Sequence, residues 1–325
     1  MTRPDRIFPG IALMLTFCAL APLIDVASKL AAQAVPVGTV TLGRYVVQGL
    51  LMAPLVVALR LPLRIGGRVL ALSVARAFVS MTATYCFVAA VQVMPIADAL
   101  AIAFVEPFVI LFIGRFVLHE EVGPRRLAAS VVGFIGALFV IQPSFSHFGA
   151  VALFPLGTAV SFALYILLTR ALSRDVDPVA MQFHTAVFAT LLCLPLLALG
   201  TSAGLSELSF GRPEGIFWLW CACVGIASTV SHMAMSYALS FAPSSTLAPL
   251  HYFEMLTATL FGYLVFGDFP NLLTWVGVAI ITGSGLYIIH RERITATRAR
   301  QARQPDAASA AAPASLPPGK AAPGR

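Results

Sequence analysis

The sequence predicts an all-α integral membrane protein in which ten transmembrane helices form two inverted five-helix repeats. Three observations support this prediction: the composition, the number of long apolar runs, and an internal repeat. Of the 325 residues, 59% are hydrophobic and only 11% are charged, and the mean hydropathy is +0.89. No ordinary soluble domain of this length approaches these values.

The net charge of +7 comes from Lys and Arg at the ends of apolar runs and in the tail. That placement indicates membrane orientation and no nucleic-acid partner.

Ten runs are long and apolar enough to cross the hydrocarbon layer of a bilayer, which takes roughly 20 helical residues. They cover about residues 8–30, 36–59, 69–91, 95–117, 125–142, 149–169, 178–199, 215–237, 243–266 and 271–290. The first run has a basic start like that of a signal peptide, but it lacks a convincing cleavage site, so we expect a retained helix. Residues 1–7 are expected to be a cytoplasmic N-terminus. Residues 291–325 are basic and then rich in Ala and Pro, which predicts a disordered cytoplasmic tail.

The positive charges fall on alternate connections between the runs. If the N-terminus is inside, the outer loops receive only Arg212. The cytoplasmic side receives the tail arginines together with Arg3, Arg6, Arg60, Arg64, Arg68, Arg125, Arg126, Arg170 and Arg174. This asymmetry predicts a multi-pass protein of the bacterial inner membrane with both termini in the cytoplasm.

An internal repeat appears when the chain is shifted by 148 residues. The stretch MPIADALAIAFVEPFVILFIGRFVLHEEV then lies over APSSTLAPLHYFEMLTATLFGYLVFGDFP, which aligns Glu106 with Glu254. The predicted repeats cover residues 8–142 and 149–290. Each holds five runs, an odd number, so the second must enter the membrane with the opposite polarity. Such inverted repeats are typical of transporters that alternate access around a site at the midplane.

The proline that opens the fourth run, the acidic Glu120 that closes it and the fifth run's ending GALFVIQP resemble the drug/metabolite transporter superfamily, specifically its EamA-type members. The resemblance spans about residues 8–290. It implies a ten-helix fold with a central cavity and secondary transport of a small metabolite, without enzymatic activity or a cofactor. The segment ADALAIAFVEP resembles sequences in the branches of this superfamily that include riboflavin and S-adenosylmethionine transporters. We therefore expect riboflavin first and S-adenosylmethionine second, ahead of amino-acid or drug-like solutes, carried by a monomer or homodimer.

Two carboxylates occupy repeat-related positions inside the membrane. Glu106 and Glu254 each follow a proline by eleven residues, about 16 Å along a helix, which is near mid-bilayer. An ionisable group there costs several kcal/mol unless it is paired or hydrated, roughly as insertion scales give. We expect these carboxylates to bind a cationic or hydrogen-bonding cargo or to carry a coupling proton. The alternative is a hydrogen bond that only joins neighbouring helices.

Two prolines accompany these carboxylates. Pro107 removes a backbone hydrogen bond within the fourth run, and Pro249 has a similar place in the ninth. His251 lies three residues before Glu254 and so shares its helix face, with Tyr252 beside it. We expect a satisfied histidine near a cavity or a proton relay. These residues are too few to predict a metal site.

Further polar residues lie deep within the runs. Arg44 and Arg76 are each about 12 Å inside their spans, so one of them is expected to neutralise Asp98 or Glu106 or to bind an anionic part of the cargo. Asp25 and Lys29, four residues apart, are spaced for an ion pair with a structural or gating role.

Tyr85 is the last candidate site residue, and His232 is a second ring side chain within the runs. The Tyr85 hydroxyl needs a partner, and its ring is suited to stacking on a flavin or purine. His232 is expected to be structural.

Two alternatives of another class remain. A membrane-embedded enzyme would show clustered catalytic groups at a membrane face, and the sequence contains no such motif. The loops are also short. A lipid scramblase is not separated from a metabolite transporter by an inverted repeat alone, so binding of a soluble metabolite is the test that distinguishes them.

Overall fold

The computed structural model describes residues 6–94, 96–116, 119, 123–141 and 149–266, with scattered positions between 272 and 294. All regular structure in this part of the chain is helical. The α-helices are α1 (Ile7–Ala31), α2 (Val37–Ala58), α3 (Gly67–Val93), α4 (Ile96–Ala103), α5 (Glu106–Phe116), α6 (Pro124–Ile141), α7 (Leu153–Leu172), α8 (Pro178–Ser202), α9 (Phe217–Phe241), α10 (Ser244–Leu247) and α11 (Phe253–Phe266). Short 3₁₀ helices cover Gly149–Ala152, Ser206–Leu208 and Ala248–Tyr252.

Six helices, α1, α2, α3, α7, α8 and α9, are long and apolar enough to cross a membrane by length and composition. Their bounds lie within a few residues of the predicted runs because charges, prolines and glycines interrupt the apolar pattern there. At α8, for example, Asp177 accepts a hydrogen bond from the Val179 amide at 2.9 Å, and Pro178 occupies the first turn. The tenth predicted run is described only at scattered positions and the tail falls almost wholly outside the described residues, so the count of ten remains a prediction.

The two halves of the chain interlock through three helix pairs. The most extensive helix contacts are α1 with α9, α3 with α7, and α2 with α8. Under the predicted repeat, α1, α2 and α3 correspond to α7, α8 and α9. The α1–α9 pair therefore exchanges with the α3–α7 pair, and the α2–α8 pair maps onto itself. A pseudo-two-fold axis between inverted halves produces this pattern.

The halves approach closely where small residues permit it. At Gly225 in α9, an added Cβ would overlap the side chain of Val47 in α2. Because helices in a bilayer associate through tight packing, glycine at this position lets the two backbones come together. The crossing between α2 and α9 thus depends on the absence of a side chain.

The fourth and ninth predicted runs are broken helices. The first break is a turn at residues 104–105 between α4 and α5, and the second is the 3₁₀ helix Ala248–Tyr252 between α10 and α11. A shift of 148 residues carries the turn onto residues 252–253, so the two breaks are repeat-related. Pro107 and Pro249, which lack an amide hydrogen, lie at the breaks.

Candidate functional site

The helix breaks place the two glutamates at the start of the helices that follow them. Glu106 is the first residue of α5, and Glu254 is the second residue of α11. Both line one cavity, whose walls come from α1–α5 of the first half and α7, α9 and α11 of the second. Its ionisable lining residues are Asp25, Arg44, Glu106, His232 and Glu254, and its aromatic ones are Phe17, Phe87, Phe104 and Phe162. The cavity therefore lies between the two repeats.

The cavity occupies one end of the helix bundle and is narrow. It is lined mainly by the second halves of α1 and α3 and the first half of α2, near the end where α1 connects to α2, and it reaches the middle of the bundle at Glu106 and Glu254. Its volume is about 100 Å³, whereas typical ligand sites have roughly 300–1,000 Å³. Riboflavin, the cargo expected first, would need this cavity to widen.

Glu106 and His251 form a buried pair beside the cavity. His251 Nδ1 lies 3.1 Å from Glu106 Oε1, which is ion-pair distance, although the angle between the groups does not make a hydrogen bond. The imidazole ring packs beside the rings of Phe17 and Phe162, with centroid distances of 5.6 Å and 6.2 Å. Two aromatic rings and a carboxylate thus hold His251 in place.

Arg44, on α2, contacts side chains of α3 and α9. Its Nη1 donates to the Thr84 hydroxyl, and its Nη2 lies 3.2 Å from Nε2 of His232. His232 Nδ1 lies 2.9 Å from the carbonyl of Ser228. Since a carbonyl only accepts and a guanidinium only donates, Nδ1 carries the proton and Nε2 accepts from Arg44. His232 is therefore a neutral part of the cavity wall and contacts a predicted site residue, a role its sequence position did not indicate.

Arg76 has a different environment from Arg44. It is fully buried, lies outside the cavity lining and makes five hydrogen bonds, all to neutral oxygens. Its partners are the hydroxyls of Thr169, Thr185, Tyr165 and Ser236 and the carbonyl of Met181. A guanidinium has five N–H donors, so all of them are used. Among the described residues, no carboxylate contacts Arg76, and the expected neutralising role is not seen there.

The Arg76 cluster fills the end of the bundle opposite the cavity. Its members come from the first halves of α3 and α8 and the second halves of α7 and α9. Gln182 extends the cluster, donating to Ser236 at 3.1 Å and accepting from Gln48 at 2.9 Å. These glutamines are buried, so a packed polar network closes this end while the cavity occupies the other.

The remaining predicted residues lie around this site. Tyr252 packs against Phe104, with ring centroids 5.7 Å apart, and does not line the cavity. Tyr85 is partly buried against the α1–α2–α3–α9 cluster and also lies outside the lining. Lys29 Nζ lies 3.5 Å from the carbonyl of Met94, and its pairing with Asp25 stays a prediction.

Two further expectations concern Asp98 and metal binding. Asp98 lies in α4, but its side chain is outside the described part of the structure. No group of three or more His, Cys, Asp or Glu that could hold a metal ion occurs among the described residues.

Comparison with known proteins identifies the family. The sequence profile of the EamA-like transporter family matches residues 8–142 and 149–290. The chain belongs to the EamA-like transporter family. This finding confirms the predicted resemblance to the drug/metabolite transporter superfamily and, with the apolar helices, an all-α multi-pass membrane protein.

Relatives of this EamA-like transporter have transporter names. A riboflavin transporter of Brucella anthropi is 27% identical over 294 residues, which is 88% of this chain and 100% of the relative. An S-adenosylmethionine uptake transporter of Rickettsia felis is 23% identical over 211 residues, 65% of this chain and 69% of the relative. Both suspected branches are thus among its relatives, and these names describe transport and not enzymatic activity.

A solved crystal structure shares the fold. It superposes with a TM-score of 0.66 at 18% identity and covers 85% of this chain and 94% of that chain. At this identity the likeness supports the architecture alone.

Proposed function

We propose that this EamA-like transporter is a secondary active transporter that moves a small organic metabolite across the bacterial inner membrane. The observation that carries the proposal is an ionisable cavity between two repeat-related halves, with a packed polar network at the opposite end of the bundle. Alternating access requires one end to open while the other is closed. With both termini in the cytoplasm, the cavity lies on the outer side.

The paired glutamates are the proposed centre of the site. Glu106 and Glu254 enter the cavity from the two helix breaks, one from each repeat. A carboxylate in a bilayer is costly unless it gains a partner, so a cargo group or proton that neutralises it is stabilised there. His251 is placed to pair with Glu106 and to respond to its charge. We propose that these three residues bind cargo or a coupling proton.

Riboflavin is our first cargo proposal. Support comes from the Brucella anthropi relative, whose full length aligns with this chain. The four phenylalanines that line the cavity are suited to contact a planar ring system. Because the cavity is small, binding of a flavin requires the halves to separate further at this end.

S-adenosylmethionine is the second cargo proposal, and the charge of the cavity favours it. Among the described lining residues, three carboxylates face one guanidinium. An excess of carboxyl groups over basic groups suits a cationic sulfonium compound, and a relative from Rickettsia felis has the corresponding name. Amino-acid or drug-like solutes rank behind these two.

Counterflow in proteoliposomes tests the proposal. Purified protein is reconstituted in vesicles loaded with unlabelled riboflavin or S-adenosylmethionine, and entry of the labelled compound is followed. We expect protein-dependent exchange of one compound and none in protein-free vesicles. No exchange of either compound, of amino acids or of nucleosides, together with movement of fluorescent lipid between leaflets, would replace the transporter proposal with a scramblase.

A further inference from the structure

Three ionisable residues that line the cavity each have an atom without a hydrogen-bond partner. The atoms are Asp25 Oδ2, Arg44 Nε and Glu106 Oε1. The residues are 8%, 6% and 6% exposed. Buried polar groups are nearly always hydrogen-bonded, and a charged group left unsatisfied costs more than a neutral one. Because the three residues line one cavity, an occupant that enters as the cavity widens can satisfy these atoms.

The guanidinium of Arg44 is held in one orientation by the protein. Thr84 and His232 each accept a hydrogen bond from one of its two terminal nitrogens, and Nε has no hydrogen-bond partner. Arg76 is a useful comparison because it is equally deep in the bundle and has every donor satisfied. Burial deep in this bundle therefore does not by itself leave a guanidinium donor open.

Asp25 supplies the complementary open acceptor. It lies on α1 across the cavity from α2, close enough to Arg44 for an electrostatic interaction. Two side chains that line one cavity therefore carry an N–H donor and a carboxylate oxygen without hydrogen-bond partners. Glu106 Oε1 also lacks a hydrogen bond, but it lies at ion-pair distance from His251 Nδ1, so it is not part of this pair.

We propose that Arg44 and Asp25 form a recognition pair for a cargo group in which a hydrogen-bond acceptor adjoins a donor. Arg44 Nε–H donates to the acceptor, and Asp25 Oδ2 accepts from the donor. The inference rests on the proposed transport function and states the cargo chemistry more finely. Two sources fit this chemistry: the imide edge of a planar ring, with C=O beside N–H, and an α-amino acid group, with carboxylate beside ammonium.

Ligand analogues that lack one group separate the two sources. For the imide, binding of riboflavin is compared with riboflavin methylated at the imide nitrogen. For the amino acid group, S-adenosylmethionine is compared with its decarboxylated form. Dissociation constants come from ligand-induced thermal stabilisation of purified protein in detergent. We expect the wild type to prefer the intact member of one pair at least tenfold.

The variants test which residue makes each contact. Asp25→Ala should bind riboflavin and its methylated form equally, and Arg44→Gln should bind S-adenosylmethionine and its decarboxylated form equally. Exposed Arg174 and Asp175, between α7 and α8, provide the charge-matched controls Arg174→Gln and Asp175→Ala, which should keep the wild-type preference. Arg44→Lys is a second variant: it keeps the charge and a donor for Thr84 but lacks Nε, so it should also lose the preference. A monodisperse size-exclusion profile verifies folding.

The outcomes separate this inference from the transport proposal. Folded Arg44 and Asp25 variants that keep the wild-type preference would overturn the recognition pair, while counterflow by the same protein would leave transport standing. The pair would also be overturned if the wild type bound neither riboflavin nor S-adenosylmethionine. The same holds if it bound only compounds in which no acceptor adjoins a donor. Absence of counterflow with every compound, despite selective binding, would instead count against transport.

Discussion

Glu106 combines a buried carboxylate, an imidazole neighbour and a position at the start of a half-helix. We expect Glu106→Gln to lower counterflow at least tenfold, because the amide keeps the size of the side chain but removes its charge. Folded yield should be retained, since a neutral amide is less costly to bury than a carboxylate. Exposed Glu214, in the loop before α9, provides the control Glu214→Gln. Wild-type counterflow by Glu106→Gln would assign the carboxylate to packing alone.

Arg76 should contribute strongly to the stability of the folded protein. We expect Arg76→Lys to lower the thermal unfolding midpoint by an amount that corresponds to about 3 kcal/mol, because three ammonium donors cannot satisfy five oxygen acceptors. Arg174→Lys on the exposed loop should melt like the wild type. Equal melting of both variants would show that the polar network contributes little to holding the closed end.

The two arginines show the limit of sequence reasoning at the residue scale. Their equal depth in their spans gave both the same expectation, a charge partner or an anionic cargo. The structure separates them through neighbours that are distant in sequence: His232 for Arg44, and hydroxyls of α7, α8 and α9 for Arg76. Helix depth follows from a sequence, but the rotation of one helix against another depends on packing of the whole bundle.

At the scale of elements, α6 approaches the broken ninth span at Gly133. An added Cβ there would overlap the ring of Tyr252, which is buried and also contacts Phe104. We expect Gly133→Ala to destabilise the protein by about 1–3 kcal/mol, the usual cost of overpacking. The melting midpoint in detergent measures the change.

Gly262 in α11 is the matched control for Gly133. No described atom lies within 4 Å of a Cβ added at Gly262. Alanine there should be neutral or stabilise by up to about 1 kcal/mol, as alanine does in helix interiors. If Gly133→Ala melts no lower than Gly262→Ala, the contact between α6 and Tyr252 is looser than the structure indicates.

The long helices and the broken ones differ in how well the sequence predicts them. α1, α2 and α8 follow the apolar runs within about three residues, because charges and prolines mark their ends. Pro107, next to Glu106, and Pro249, five residues before Glu254, indicated disturbed helices. The extent of the second break, a full 3₁₀ helix from Ala248 to Tyr252, depends on its burial against α1, α5 and α6 and was not readable from local sequence.

At the scale of the whole molecule, the exchange of the α1–α9 and α3–α7 pairs implies that movement of one half against the other alters both contacts together. Alternating access through such movement predicts that a covalent link between the halves stops transport. A position for this link exists between α2 and α9. An ideal Cβ at Gly43 lies 3.9 Å from the Cβ of native Cys221, within the usual 3.5–4.5 Å for a disulfide.

We expect oxidised Gly43→Cys to lose counterflow and to recover it on reduction. The double variant Gly43→Cys with Cys221→Ser cannot form the bond and should respond to neither treatment. Mass spectrometry of the oxidised protein establishes that the link has formed. Full counterflow by the linked protein would show that α2 and α9 stay together throughout the cycle, and the moving interface would have to lie elsewhere.

The Arg76 cluster also affects what the closed end lets through. Its guanidinium contacts only neutral oxygens among the described residues, so its positive charge is not compensated locally. A small cation 4 Å away would meet a repulsion of about 4 kcal/mol at an effective dielectric constant of 20. We expect the residue that joins four helices also to oppose the leak of protons and sodium ions through the end of the bundle that is shut.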